Sequence, residues 1–148
     1  RFVEAGCASV TINMETTAMS QRLLTRIREL GASPGIAINP ATPLTKLEYV
    51  LDCVDRVLLM TVDPGYAGQK ILPGAFDRVR ILRENIDFRK LPVQIEVDGN
   101  INVRNAAMLS KAGAEIFDLG TSSIFNGGDL VQALSDFKAA VLVERQFV

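Results

Sequence analysis

Short β-branched or apolar runs alternate along this chain with longer segments whose apolar residues recur at helical spacing. That alternation restricts the fold to repeated strand and helix units built on a parallel sheet. Five runs read as strands, over residues 8–13, 35–39, 56–62, 93–97 and 115–119. Between them the spacing predicts a helix over 20–30, with Leu23, Leu24, Ile27 and Leu30 on one stripe and Gly31 just past its end. A short helix is expected over 44–51, with Thr42 as its N-cap and Pro43 at the first helical position. Further helices are expected over 75–86 and 102–112, the second stopped by Gly113, and Gly6 likewise reads as a helix-ending glycine. A last helix, capped by Asp129, carries Leu130, Ala133, Leu134, Phe137 and Val141 on one face. No linker, low-complexity tract or charge block divides the chain, so residues 1–148 read as a single domain.

The strand starts lie about 27 residues apart on average. Eight such units need about 215 residues, the size of a compact (β/α)8 barrel of at least ~200, and five cannot close one. Two α/β architectures therefore fit: an open five-stranded sheet, or a partial TIM barrel supplying strands 4 to 8. The second expects the first three β/α units to lie outside this chain, in keeping with a start at Arg1 rather than Met.

Charge and composition narrow the partners. Lys plus Arg number 16 against 17 Asp plus Glu, and there is no histidine, so the net charge is −1 and a strongly basic nucleic-acid binder is excluded. A chain that is 48% hydrophobic and 22% charged buries a core rather than staying disordered. No apolar run approaches the ~20 residues of a membrane span, and the first residues lack a signal-peptide layout. Cys7 and Cys53 are too far apart in sequence for a metal knuckle or redox pair. The expectation is a reduced, cytoplasmic protein with neither nucleic-acid nor membrane partners.

Parallel sheets bind ligands at the carboxyl ends of their strands. Met60 precedes a long connection, residues 63–74, that holds Gly65, Tyr66, Ala67 and Gly68 and reads as a lid. Tyr66 either closes over a ligand or covers the sheet end, and Asp63 reads as a turn residue. The next strand runs into Asp98, Gly99 and Asn100, and the last into Gly120, Thr121 and Ser122. Glycine turns that expose backbone N–H groups make an anion cradle, and this pair, placed after the last two strands, favours phosphate over mere turn shaping. Gln94, Glu96 and Asp98 alternate and so share one face of a strand expected to be buried on both. Glu96 reads as the partner of a buried cation. Asp98, at the carboxyl end, can reach a metal or a substrate proton, its bland alternative being a helix N-cap. Asn13 and Asn39 end strands, where an amide orients a ligand or caps the next helix.

Together these segments resemble the ribulose-phosphate 3-epimerase family. The resemblance rests on the ordered set Asn39-Pro40-Ala41-Thr42-Pro43, Met60 through Gln69, Glu96-Val97-Asp98-Gly99, Ala112-Gly113-Ala114 and Gly120 through Phe125. Asp63, Ala67 and the Gly120-Thr121-Ser122 form look closest to its allulose-6-phosphate 3-epimerase branch. The resemblance implies a phosphate-binding barrel that inverts carbon 3 of a ketose phosphate, ribulose 5-phosphate or allulose 6-phosphate, through an enediolate. It also implies a divalent metal ion (Zn, Fe, Mn or Co) held by two histidines and two aspartates. On that pattern Asp98 is metal ligand and proton donor or acceptor, and Met60 packs at the reaction centre. Gly65, Tyr66, Ala67 and Gly68 form the lid; Gly99, Asn100, Gly120, Thr121 and Ser122 hold phosphate. Both histidines and the earlier aspartate are missing here, and Asn13 stands where a histidine of a His-x-Glu motif is usual, with Glu15 retained. Asn100 replaces a glycine, though Asn tolerates left-handed angles. With one aspartate the chain alone is expected to be inactive, and its open sheet edges favour a homo-oligomer. Other readings are a different phosphate-binding barrel enzyme, such as a relative of orotidine-monophosphate decarboxylase, and a non-catalytic phosphosugar-binding module. A lysine beside Asp98 would favour the decarboxylase type, and none is near it in sequence.

Overall fold

Five parallel strands, β1 (Ser9–Asn13), β2 (Ser33–Ile38), β3 (Arg56–Met60), β4 (Gln94–Asp98) and β5 (Ile116–Asp118), form one sheet in a computed structural model that describes residues 1–125 and 127–148. Each strand pairs with the next along the chain. A doubly wound sheet reverses its strand order at a switch point, and this sheet has no reversal. With right-handed crossovers throughout, the helices gather on one face, which is the arc of a β/α barrel. The register agrees: Gly35, third in β2, faces Arg56 at the start of β3, and Glu96, third in β4, faces Ile116 at the start of β5. Stagger of this kind accompanies the tilted strands of barrels.

The helices are α1 (Ser20–Glu29), α2 (Ala75–Phe88), α3 (Val103–Ala112) and α4 (Leu130–Glu144). Ile36, Ile38, Val57, Leu59, Ile95 and Val97 on the convex side of the sheet pack in one cluster with Leu24, Val79, Leu82, Ile86, Leu109 and Phe137 of the helices. Asp129 caps α4 through its side chain, and Gly31 and Gly113 follow α1 and α3 in left-handed conformation, as the sequence predicts; Asn102, expected inside α3, is instead its N-cap. Among the described residues no helix is long and apolar enough to cross a membrane.

The structure corrects several expectations. The sheet is not buried on both sides: Gln94 is exposed and Glu96 and Asp98 are half-buried, because no element packs over the concave face among the described residues. Glu96 does meet a cation, Arg56, at 3.6 Å. Gly35 leaves room for this lining, since a Cβ there would sit 2.4 Å from Thr11 Oγ1 and 2.9 Å from Arg56 Cγ. The helix expected over 44–51 is instead two short 3-10 turns, Leu44–Leu47 and Leu51–Cys53. Thr42 does not cap it, because its hydroxyl donates to Glu15 just past the end of β1. Strand β3 stops at Met60 rather than residue 62, where Thr61 turns its N–H to the Asp98 carbonyl at 2.8 Å. Leu130 is half-exposed, so the buried stripe of α4 begins a turn later than its sequence suggests and centres on Phe137.

Candidate functional site

Met60, Asp98 and Asp118 stand side by side in register at the carboxyl ends of β3, β4 and β5. A shared pleat turns their side chains to one face. The loops beyond them enclose a cleft of about 340 Å³. Its walls are Met60, the lid residues Gly65, Tyr66, Ala67 and Gly68, the turn Asp98, Gly99 and Asn100, and the turn Gly120, Thr121 and Ser122. Met60, Asp98, the lid residues and both glycine turns, expected from the sequence to form the site, are therefore brought to one place.

The lid keeps its shape through Gln69, the last residue of the segment from Met60 that carries the resemblance but one given no role by the sequence. Gln69 Nε2 donates to the carbonyls of Asp63 and Tyr66, at 2.5 and 3.0 Å, so the Asp63 backbone, not its carboxylate, anchors the loop. The Tyr66 side chain is exposed at the rim and does not cover the sheet end.

The β4 turn is tightly built. Gly99 has φ +121°, and a Cβ would lie 2.6 Å from Val62 Cγ2, so both backbone angle and space require glycine. Asn100 adopts φ +51°, the left-handed conformation its type tolerates. Asn102, not Asp98, caps α3, which leaves the Asp98 carboxylate at the cleft. Across from it, Ser123, Ile124 and Phe125 all direct their N–H groups to the Gly120 carbonyl. The N–H groups of Asn100, Thr121 and Ser122 have no protein acceptor among the described residues. No Lys or Arg lines the cleft among the described residues, so an anion there would be held by neutral donors, the free backbone N–H groups and the side chains of Asn100, Thr121 and Ser122.

Burial pushes the Asp98 carboxyl above the ordinary carboxylate range, and the neighbouring Asp118 adds to the shift, while the Gly99 N–H opposes it. Asp118 is raised by burial and by the Glu96 carboxyl beside it, with Arg56 opposing. Sequence reasoning misses Asp118. Its one signal is a carboxylate at a strand end, two residues before the Gly120 turn, and what makes it part of the site is its register with Asp98.

Asn13 and Asn39 belong to the scaffold and do not line the cleft. Asn13 Oδ1 accepts from the Glu15 N–H at 2.8 Å. Glu15 Oε1 accepts the Asn39 N–H at 2.9 Å and the Thr42 hydroxyl. Burial pushes the Glu15 carboxyl up, but hydrogen bonds from Thr42 and the backbone outweigh it and hold the group below its ordinary value. A metal finds no complete set here. Among the described residues no three or more His, Cys, Asp or Glu side chains are grouped to hold an ion, and the amide oxygen of Asn13 is already engaged.

A singly wound β/α arc with its cleft at the carboxyl edge, floored by acids and walled by two glycine turns that expose backbone donors, defines part of a β/α barrel with its ligand face at the strand ends. More particularly, the chain belongs to the ribulose-phosphate 3-epimerase family, whose model matches residues 1–125. It is 37% identical over 138 residues to the ribulose-phosphate 3-epimerase of Escherichia coli K12, covering 93% of this chain and 61% of that protein. Against the same enzyme of Methanocaldococcus jannaschii it is 39% identical over 133 residues, covering 90% of this chain and 56% of the relative. The chain thus spans about three fifths of the length of the curated relatives it matches. A chain in the crystal structure of the Amycolatopsis orientalis BexX/CysO complex shares the fold, with TM-score 0.61 and 19% identity over 86% of this chain and 48% of that one.

Proposed function

We propose that this chain carries part of the active site of a ketose-phosphate 3-epimerase, acting on ribulose 5-phosphate or allulose 6-phosphate by proton transfer through an enediolate. The observation that carries this reading is Asp98, a half-buried carboxyl of raised basicity at a strand end, inside a cleft whose other polar groups include exposed backbone N–H groups and the side chains of Asn100, Thr121 and Ser122, with no Lys or Arg among the described residues. In this mechanism the Asp98 carboxylate takes the proton from C3 of the sugar, and the C–H electron pair passes into the enediolate. A carboxyl raised above its ordinary range is a better base for a carbon acid near neutrality than an unperturbed one. The phosphate lies against the two turns, Gly99 and Asn100 on one side and Gly120, Thr121 and Ser122 on the other, and takes the free N–H groups of Asn100, Thr121 and Ser122. Gly65, Tyr66, Ala67 and Gly68 close the mouth, and Met60 forms an apolar wall against the reacting carbons. Asp98 is also the one residue we assign to a divalent metal ion, whose ligand set this chain does not complete.

Inversion needs a second acid on the opposite face of C3, and Asp98 serves only one. The isolated chain should therefore return a proton to the face it came from. In deuterated water with Zn²⁺, Mn²⁺ or Fe²⁺ present, ribulose 5-phosphate should exchange its C3 proton for deuterium without changing configuration, as read by proton NMR. Asp98→Asn should abolish exchange and leave phosphate binding largely intact. Exchange at wild-type rate in that variant removes Asp98 from the mechanism, and inversion by the isolated chain shows a second acid within it. Phosphate binding with no exchange favours the non-catalytic phosphosugar-binding module. The absence of a lysine from the cleft lining among the described residues weighs against a decarboxylase-like barrel. We further place the protein in the cytoplasm as a homo-oligomer without nucleic-acid or membrane partners, an assignment that light scattering after size exclusion tests for its assembly.

A further inference from the structure

Ser20, Thr61 and Asn105 are the buried polar residues among those described, and two of the three spend their hydrogen bonds on one short turn. Thr61, 1% exposed at the end of β3, shares its hydroxyl proton between the carbonyls of Asp98 at 2.8 Å and Gly99 at 2.5 Å. Its own N–H donates to the Asp98 carbonyl as well. From the other side Asn105, 8% exposed in the first turn of α3, donates its amide to the Asn100 carbonyl at 2.8 Å and to Asn100 Oδ1 at 3.0 Å. Asn100 then extends Nδ2 toward Ser122 Oγ at 3.4 Å, which links the β4 turn to the β5 turn.

Polar groups buried this deeply are costly unless partnered, and both side chains find their partners in residues 98–100 rather than in the core. The turn needs outside support. Two consecutive residues in left-handed conformation, Gly99 and Asn100, are not a state the local chain prefers.

We propose that Thr61 and Asn105 are positioning residues that grip the turn 98–100 from its two sides, fixing the Asp98 carboxylate and the Asn100 N–H toward the cleft, with Asn100 carrying that order across to Ser122. The proposal rests on the phosphate-binding reading of the cleft and deepens it. It is tested on this chain with inorganic phosphate as probe, titrated by phosphorus NMR, alongside 15N order parameters of Gly99 and Asn100. Thr61→Val removes the hydroxyl at nearly constant shape, and Asn105→Asp removes the amide donors. Each should weaken phosphate binding about tenfold, the loss of roughly one well-made hydrogen bond. Each should also lower the two order parameters from about 0.85 toward 0.6. Thr61→Ser should restore both readouts. Asn100→Gly, which leaves the core untouched, should weaken binding about threefold and loosen the Ser122 turn, on the scale of a weak hydrogen bond. Ser20→Ala, at the third buried polar residue, should alter neither readout whatever it does to stability. Unchanged order at Gly99 and Asn100 in both Thr61→Val and Asn105→Asp overturns the proposal, as does an equal loss of order in Ser20→Ala. If the wild-type chain binds no phosphate but the variants lose order, the phosphate reading fails and the grip stands. If it binds phosphate and the variants keep both order and affinity, the grip fails and the phosphate reading stands.

Discussion

On its convex side β4 presents Ile95 and Val97, sealed from solvent in the cluster that holds Val79 and Leu82 of α2 and Leu109 of α3. On its concave side the same strand presents Gln94, Glu96 and Asp98, none of them sealed. Alternation along a single strand thus separates two kinds of stability. The convex residues contribute by leaving water, a gain indifferent to pH. On the concave side charge decides: Arg56 pairs with Glu96, Glu96 in turn crowds Asp118, and Asp98 is free to be reactive because it contributes little to the core.

The sharpest break in this contrast comes from the convex side. Ile95→Ala should cost about 2–5 kcal/mol, read as a fall in the urea midpoint, because it leaves a cavity in a close-packed cluster. A loss below about 1 kcal/mol would mean that this face is not the core. Next in size is Gly35→Ala on the concave side, where the added Cβ meets Thr11 and Arg56; the expected cost is about 1–3 kcal/mol by the same measurement. Asp118→Asn acts in the opposite direction. Asp98 and Asp118 have folded-state pKa values raised above the unfolded ones, so the native chain holds protons that the unfolded chain releases. Their penalty is absent below the ordinary carboxylate range and grows as pH rises through the raised values. The variant should therefore be the more stable protein at neutral pH, by less than about 1 kcal/mol, with the gain vanishing toward pH ~4. Glu15 has the contrary sign: its lowered pKa contributes stability above the ordinary carboxylate range that is lost as pH falls. Smallest of all, Gln94→Ala should shift stability by no more than about 0.5 kcal/mol, although Gln94 adjoins Ile95.

Elements whose signals are local can be read directly from the residues. Asp129 sits three residues before the N–H group it accepts, and Gly31 and Gly113 end their helices in the positive-φ conformation that glycine takes most readily. The cleft is legible for a similar reason, since its walls come directly after strands and carry the glycines that such turns require. Features that depend on residues distant in sequence are not legible. Thr42 matches the N-cap pattern, yet its hydroxyl is claimed by Glu15, 27 positions earlier. Asp118 joins the site only because β5 pairs with β4 in the register that sets it beside Asp98. The open concave face escapes the sequence as well: burial on both sides belongs to a sheet fully covered, and the pattern of β4 alone does not report its surroundings.

The strand order has a kinetic consequence. Each strand pairs with its immediate successor, so no pairing waits on a loop longer than one β/α unit. Closing short loops costs little entropy, and chains rich in near-neighbour contacts fold fast for their size. A closed ring of the same units would require one joint between its first and last strands, and that late, entropically expensive step is missing from the described sheet. The arc should therefore grow by accretion, as repeat proteins do, with any adjacent pair of units able to start it.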